Sequence, residues 1–375
     1  TGAAGALLVH HRAPPGVQQG HERLQRVGPP ARVTLTEVGG AYGWRLSLDE
    51  LKWLFDWHLV RGNNLIVPHA AFYSIRDRRA WESEPDVGVH NVFWPHFRLL
   101  AAYARRLGWL LCDGTEVCQT AVLGDGEHLP WEAAQALYES QVSFLYLDDR
   151  AVADASVQDG RLLVGRQRFA SVVVDGEPPL GEAARQRLAE LAASGGQVLR
   201  PGPGVELAAK LRAHGGADLE VRPAQPDLRF LHYQRSGLDL YLLVNEGEGP
   251  IDAEAHLAVS GAADRWDPLT GQRSPLSAAA DTGGLRFALH LERRQSLVVA
   301  VDPQLAYRFV ADCRWQRQRI CLTPAWTATA VGGAPGPQQP LRAPGDWSRQ
   351  AGWELYSGTV RYQATVDLPA ADRLC

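Results

Sequence analysis

Two residues able to do chemistry sit where short strand-like runs, the first of them β-branched, give way to loops. Glu37 follows Arg32-Val33-Thr34-Leu35-Thr36, and His69 follows Asn64-Leu65-Ile66-Val67-Pro68. Tyr42, Trp44, Phe72 and Tyr73 lie in the loops that come next. A positioned carboxylate can move a proton or attack a carbon. Aromatic planes stack on the C–H faces of a sugar ring, whose hydroxyls need hydrogen-bond partners. The plainer reading makes Glu37 a solvated loop carboxylate and His69 a helix cap.

The elements that must position these groups are legible around them. Ser47 followed by Glu50 is a capping box, in which the serine hydroxyl and the glutamate each take one orphan N–H. Leu48, Leu51, Leu54, Phe55 and Leu59 recur at helical spacing and Gly62 stops the run. Strand, helix and strand this close together predict a right-handed βαβ unit with parallel strands. Glu37 and His69 then share the C-terminal rim, where βα loops open. A polar loop follows Ile75, and Phe97, Leu100, Ala101, Ala104, Leu107 and Leu111 mark a second helix, with Arg98, Arg105 and Arg106 expected on a solvated face. His21 to Val27 reads as a helix turn.

From Asp113 a second α/β pattern begins. Val117–Leu123, Val142–Leu147, Ala170–Val174 and Gln197–Leu199 read as strands, with helices from Pro130, from Leu180 and near Val205, and Gly160–Phe169 as a hairpin. The alternation predicts a doubly wound parallel sheet, and its turns carry no GxGxxG and no P-loop. From Asp227 the period becomes two, in FLHYQ, DLYLLVNE, AEAHLAV, ADRWDPLTGQ, LRFALHL and QSLVVAV, which predicts an antiparallel sandwich. The strand-like RQRICL precedes a proline-rich linker at Thr323–Gly345, and GWELYSGTVRYQATVDLP resembles the opening of another β-domain. Expected domains are 1–112, 113–225, 226–305 and 306–375.

Composition narrows the function. The 375 residues are 45% hydrophobic and 21% charged, with net charge -4. That is globular, and offers nothing to nucleic acid or an anionic membrane. No apolar run reaches the length of a membrane span. The five cysteines form no CxxC pair and no Cys/His ligand spacing, so they read as free thiols rather than a zinc site. The chain contains no methionine, opens on TGAAGALLVHHRAPPG and closes at VDLPAADRLC. It therefore reads as a fragment, and neither compartment nor oligomeric state is written in it.

The stretch AYGWRLSLDELKWLFDWHLVRGNNLIVPHAAFYSI, with PDVGVHNVFWPHFRLLAAYARRLGWLL after it, resembles the end of the catalytic barrel in large multidomain bacterial glycoside hydrolases. It is similar in particular to the family 106 α-L-rhamnosidases and their family 2-like relatives. The module order agrees: barrel end, amidotransferase-like doubly wound α/β domain, β-sandwich with its WDPLTG turn (Trp266 to Gly271), then a carbohydrate-binding-like β-domain with YSGTVRY. The resemblance implies that the first two strands are the seventh and eighth of a (β/α)8 barrel. It implies that Glu37 is a catalytic carboxylate, as general base or nucleophile, and that His69, Tyr42, Trp44 and Tyr73 bind substrate.

Its partner carboxylate on an earlier strand would lie upstream. Glu82, Glu84 and Asp86 are expected as solvated loop carboxylates, one of which could meet a sugar hydroxyl or calcium. The family includes metal-dependent members, so calcium stays open for the full-length enzyme, although no cage of oxygen ligands is visible here. Otherwise no cofactor is implied. The partner implied is a carbohydrate substrate, with an inferred preference for α-L-rhamnosides in plant or microbial polysaccharide. Two alternatives stand beside this: a non-catalytic carbohydrate-binding or scaffold protein, and an amidotransferase activity. The last needs a cysteine at a strand-helix elbow with a histidine partner, a setting that neither Cys112 nor Cys118 has.

Overall fold

The structure, a computed structural model, describes residues 8–10, 21–23, 33–124, 130–178, 180–200, 204–215, 217–305, 326–331, 349, 352–353, 356 and 358–366. Two compact units divide the chain, Thr1–Asp312 and Cys313–Cys375.

In the first unit Leu35–Val38 pairs in parallel with Leu65–Pro68, and Glu37 lies level with Val67. The Leu48–Leu59 helix joins them, opened by the Ser47–Glu50 capping box. Side chains alternate along the first strand. Thr34, Thr36 and Val38 are buried, while Val33 and Leu35 are each 53% exposed, beside Leu65 and Val67 on the second strand at 42% and 39%. This pair therefore has one covered face and one bare apolar face. The Trp94–Leu110 helix completes the local core through Leu100, Tyr103 and Leu107. The segment read as a helix turn contains a strand instead: His21–Arg23 pairs antiparallel with Leu8–His10.

The second core belongs to a four-stranded parallel sheet ordered Gln197–Leu199, Ser171–Val173, Thr120–Leu123, Phe144–Leu147. The chain builds outward to one side and then the other of Thr120–Leu123, the reversal expected of a doubly wound sheet. The first strand is shorter than the run that announced it. Thr115–Glu116 instead pairs with Leu228–Arg235, and Val117 N–H donates to His232 O at 2.9 Å. The run VCQTAVL carries no turn residue, so its composition did not mark where one sheet ends and another starts.

The third core lies between two antiparallel sheets. One is ordered Leu219–Arg222, Ile251–Leu257, Gly284–Leu291, Ala279–Asp281, and the other Arg273–Pro275, Ala262–Trp266, Ser296–Asp302, Leu238–Asn245, Leu228–Arg235, Thr115–Glu116. Tyr241, Leu243, Val299 and Val301 fill the space between the sheets. Leu240, Leu242, Val298 and Ala300 point the other way, into the core of the first two helices. The central strands are thus buried on both faces, which explains their unbroken apolar runs.

Ionic contacts tie these regions together. Glu246 accepts from Arg61 Nη1 at 2.5 Å and Nη2 at 3.2 Å, and lies 3.1 Å from Arg229 Nε. Arg61 also lies over the rings of Trp57 and Tyr138. Asp56, fully buried, accepts from Lys52 Nζ at 2.5 Å and from Tyr103, whose hydroxyl is 2.7 Å from Ser296 Oγ.

In the second unit Thr327–Val331 pairs antiparallel with Thr359–Gln363, and Trp353 is buried against the edge of Tyr356. Thr327–Val331 falls within the stretch read as a linker. Its alternating threonine and alanine suit a strand, and the flanking prolines and glycines obscured it. The RQRICL run lies outside the described residues.

Candidate active site

Glu37 and His69 meet on one rim. His69 Nδ1 hydrogen-bonds Glu37 Oε1, and His69 Nε2 lies 3.1 Å from the carbonyl of Ser83. Both neighbours are oxygens, and a carbonyl only accepts. No partner for Glu37 Oε2 is found among the described residues. The carboxylate side chain is 62% exposed and the imidazole 22% exposed.

Local backbone geometry sets this contact. His69 N–H donates to Val38 O at 2.8 Å, extending the parallel ladder past the second strand. Gly39 turns the chain out of the first strand at φ +93, a conformation side chains resist. A Cβ on Gly40 would stand 3.1 Å from the His69 ring, so glycine there lets the imidazole lie against the backbone. Phe72 meets His69 edge-on, with ring centroids 6.4 Å apart.

The loop after the second strand is held by Asp86, one of the carboxylates expected to be solvated. It is fully buried. Oδ1 accepts from Phe72 N at 2.8 Å and Gly88 N at 2.9 Å, while Oδ2 accepts from His90 N at 3.0 Å and His90 Nδ1 at 2.9 Å. Burial alone would raise its pKa, but these donors together hold it below the usual carboxylate range. Asp86 thus fixes Phe72 under His69. The D-x-G-x-H-N spacing from Asp86 to Asn91 was the available signal. Glu82 pairs with Arg78. Among the described residues no group of three or more His, Cys, Asp or Glu could hold a metal ion.

The aromatic residues divide. Trp44 is 38% exposed and its indole donates to Ala80 O, tying the two rim loops beside the Gly43 N to Glu84 O bond. Tyr42 is half-buried against the helical core, and burial raises its pKa. Tyr73 is fully exposed in the loop beyond Phe72. The structure therefore brings Glu37 and His69 into contact, stations Trp44 in the adjoining loop, turns Tyr42 to the core and leaves Tyr73 in solvent.

The cysteine chemistry needed by the amidotransferase alternative finds no support. Cys118 is buried, its Sγ–H donating to Thr120 O at 3.0 Å, and burial pushes the thiol far above its ordinary pKa. Burial, then the neighbouring Asp113, raises Cys112 as well. Neither is poised as a thiolate.

No family model and no curated protein matches the chain. Solved structures do. The rhamnosidase from Novosphingobium sp. PP1Y superposes with a TM-score of 0.66 at 18% identity, over 88% of this chain and 37% of that one. Gan42B, a GH42 β-galactosidase from G. stearothermophilus, gives a TM-score of 0.50 at 8% identity, over 71% of this chain and 53% of that one. The α-L-fucosidase isoenzyme 2 from Paenibacillus thiaminolyticus gives 0.47 at 10%, over 68% and 57%. The chain spans little more than a third of the rhamnosidase's length. Its fold is that of a portion of a glycoside hydrolase, in agreement with the resemblance carried by its sequence.

Proposed function

We propose that the chain is the C-terminal portion of a glycoside hydrolase cleaving O-glycosidic bonds in polysaccharide, with α-L-rhamnosides as the substrate class. The observation that carries this reading is the Glu37–His69 contact at the C-terminal rim of a parallel strand pair. The bare face of Val33, Leu35, Leu65 and Val67 supports taking that pair as the last two strands of a (β/α)8 barrel, whose interior is filled by such residues. In this reading 1–112 ends the barrel, 113–225 is the amidotransferase-like domain, 226–305 is the sandwich and 306–375 begins a carbohydrate-binding-like domain.

Glu37 serves as general base or nucleophile. The His69 N–H takes up a lone pair on Oε1 and fixes the carboxylate plane, leaving Oε2 toward the substrate. Of the aromatic residues expected at the subsite, Trp44 borders the pair, while Tyr42 is turned to the core and Tyr73 stands in solvent and would reach a sugar only from the loop beyond Phe72. Glycosidic hydrolysis uses a second carboxylate. This reading takes it from the part of the protein matching the remaining length of the rhamnosidase, so the chain by itself should not turn over.

The test is kcat and KM on an aryl α-L-rhamnoside, for the full-length protein carrying this chain and its Glu37→Gln variant. Glutamine keeps the shape but cannot take a proton or form a glycosyl ester. Loss of roughly two to four orders of magnitude in kcat, with substrate still bound, is expected. A variant within a few-fold of the parent would leave Glu37 a sugar-contacting residue and favour the non-catalytic binding protein.

A further inference from the structure

The WDPLTG turn forms one wall of a cavity of about 440 Å³ against the Trp94–Leu110 helix. Its volume falls in the range of small-ligand sites, and its walls are largely apolar. The turn is self-contained. Asp267 spends its carboxylate on Leu269 N and Thr270 Oγ1, both at 2.8 Å. Arg106, expected on a solvated face, instead docks the turn by donating to Pro268 O at 3.0 Å and Leu269 O at 2.9 Å. Gly271 makes room for it, since a Cβ there would stand 2.9 Å from Arg106 Nε.

Beside Leu110 and Val298, the lining includes Trp109, Trp266 and three arginines, Arg105, Arg106 and Arg273, with Asp267 its single carboxylate. Arg273 lies over the Trp266 ring at 4.2 Å, and Arg235 over Trp109 at 3.9 Å. Arg235 also donates to Trp109 O, whereas Arg273, stacked on its indole, has no hydrogen-bond partner among the described residues, which leaves its in-plane N–H groups for a ligand. Arg105 and Arg273 are exposed and meet no carboxylate among the described residues. Trp109 is 61% exposed, and the Trp266 indole N–H is buried without an acceptor among the described residues.

We propose that this cavity binds an anionic saccharide, a sugar ring bearing a carboxylate or sulfate. The ring packs against Trp109 and the apolar wall, and the anion bridges Arg105 and Arg273. Apolar walls disfavour a small hydrated anion, while charged forks spaced around aromatic planes reward a ring and an anion in one molecule. The choice of a saccharide over another ring-bearing anion rests on the glycosidase-like fold. The site does not depend on Glu37 being catalytic.

Isothermal titration of the full chain with trigalacturonate, a sulfated disaccharide, neutral cellotriose and naphthalene sulfonate tests this. The acidic sugars should bind, cellotriose at least tenfold more weakly. Arg105→Gln and Arg273→Gln should each lower acidic-sugar affinity roughly tenfold or more. Both residues are exposed, and matching thermal melts would certify that the variants fold. Trp109→Ala should also weaken binding. Equal affinity for cellotriose, indifference to both arginine substitutions, binding of the aryl sulfonate alone, or no saccharide binding at millimolar concentration would each overturn the proposal. None of these readouts involves turnover, so the result stands apart from the Glu37 test.

Discussion

Two ionic arrangements in the first unit use similar side chains in opposite surroundings. Arg61, Glu246 and Arg229 are 8%, 9% and 13% exposed, and their charges answer one another beneath aromatic rings. Glu37 and His69 stand on an open rim, with the carboxylate mostly in solvent. The difference separates a group that holds the protein together from one that can meet a ligand. A buried charge without its partner is costly, whereas an exposed pair contributes little to stability.

The comparison breaks most sharply at Glu246. Glu246→Ala leaves two buried guanidiniums facing each other, and should cost about 3–5 kcal/mol in urea unfolding at unchanged slope. A loss under about 1 kcal/mol would show that solvent reaches the triad.

The next largest effect is expected at His232, held between Asp218 at 3.0 Å and Asp239 at 2.8 Å. Burial would lower its pKa, but the hydrogen bonds and charges of the two aspartates outweigh it and raise the pKa to about 9. The proton is therefore bound more tightly in the folded state. Its stabilisation is complete below the unfolded value of about 6.5 and is lost as pH rises through about 9. Unfolding free energy should fall by as much as roughly 3 kcal/mol over that window. His232→Gln should flatten the profile, and a parent profile already flat would contradict the assignment.

The smallest effect is expected where catalysis is proposed. Glu37→Gln should move the unfolding free energy by no more than about 0.5 kcal/mol. A loss above about 2 kcal/mol would place Glu37 with the structural ion pairs and dissolve the contrast.

What the sequence disclosed follows the range of each interaction. Ser47 and Glu50 are three residues apart, and their capping box formed as expected. The parallel pair followed from one helix between two short strand-like runs. Asp86 was misread because its role depends on Phe72, fourteen residues away, and on a turn that only the folded loop supplies. Arg106 was misread because its acceptors lie more than 160 residues on. Thr115–Glu116 has two residues, too few for any period to register.

That short strand has one more consequence. The chain leaves the six-stranded sheet at Glu116, builds the parallel module, and re-enters the sandwich after Asp218, at Leu219 on the facing four-stranded sheet. Val117 bonds the backbone of His232, and Asp218 bonds its ring. Both junctions of the module thus converge on a single residue of the sandwich. An excursion whose ends lie side by side is a natural cassette. It can be excised and the gap bridged by a few residues, or exchanged for another domain, without rethreading the sandwich that carries it.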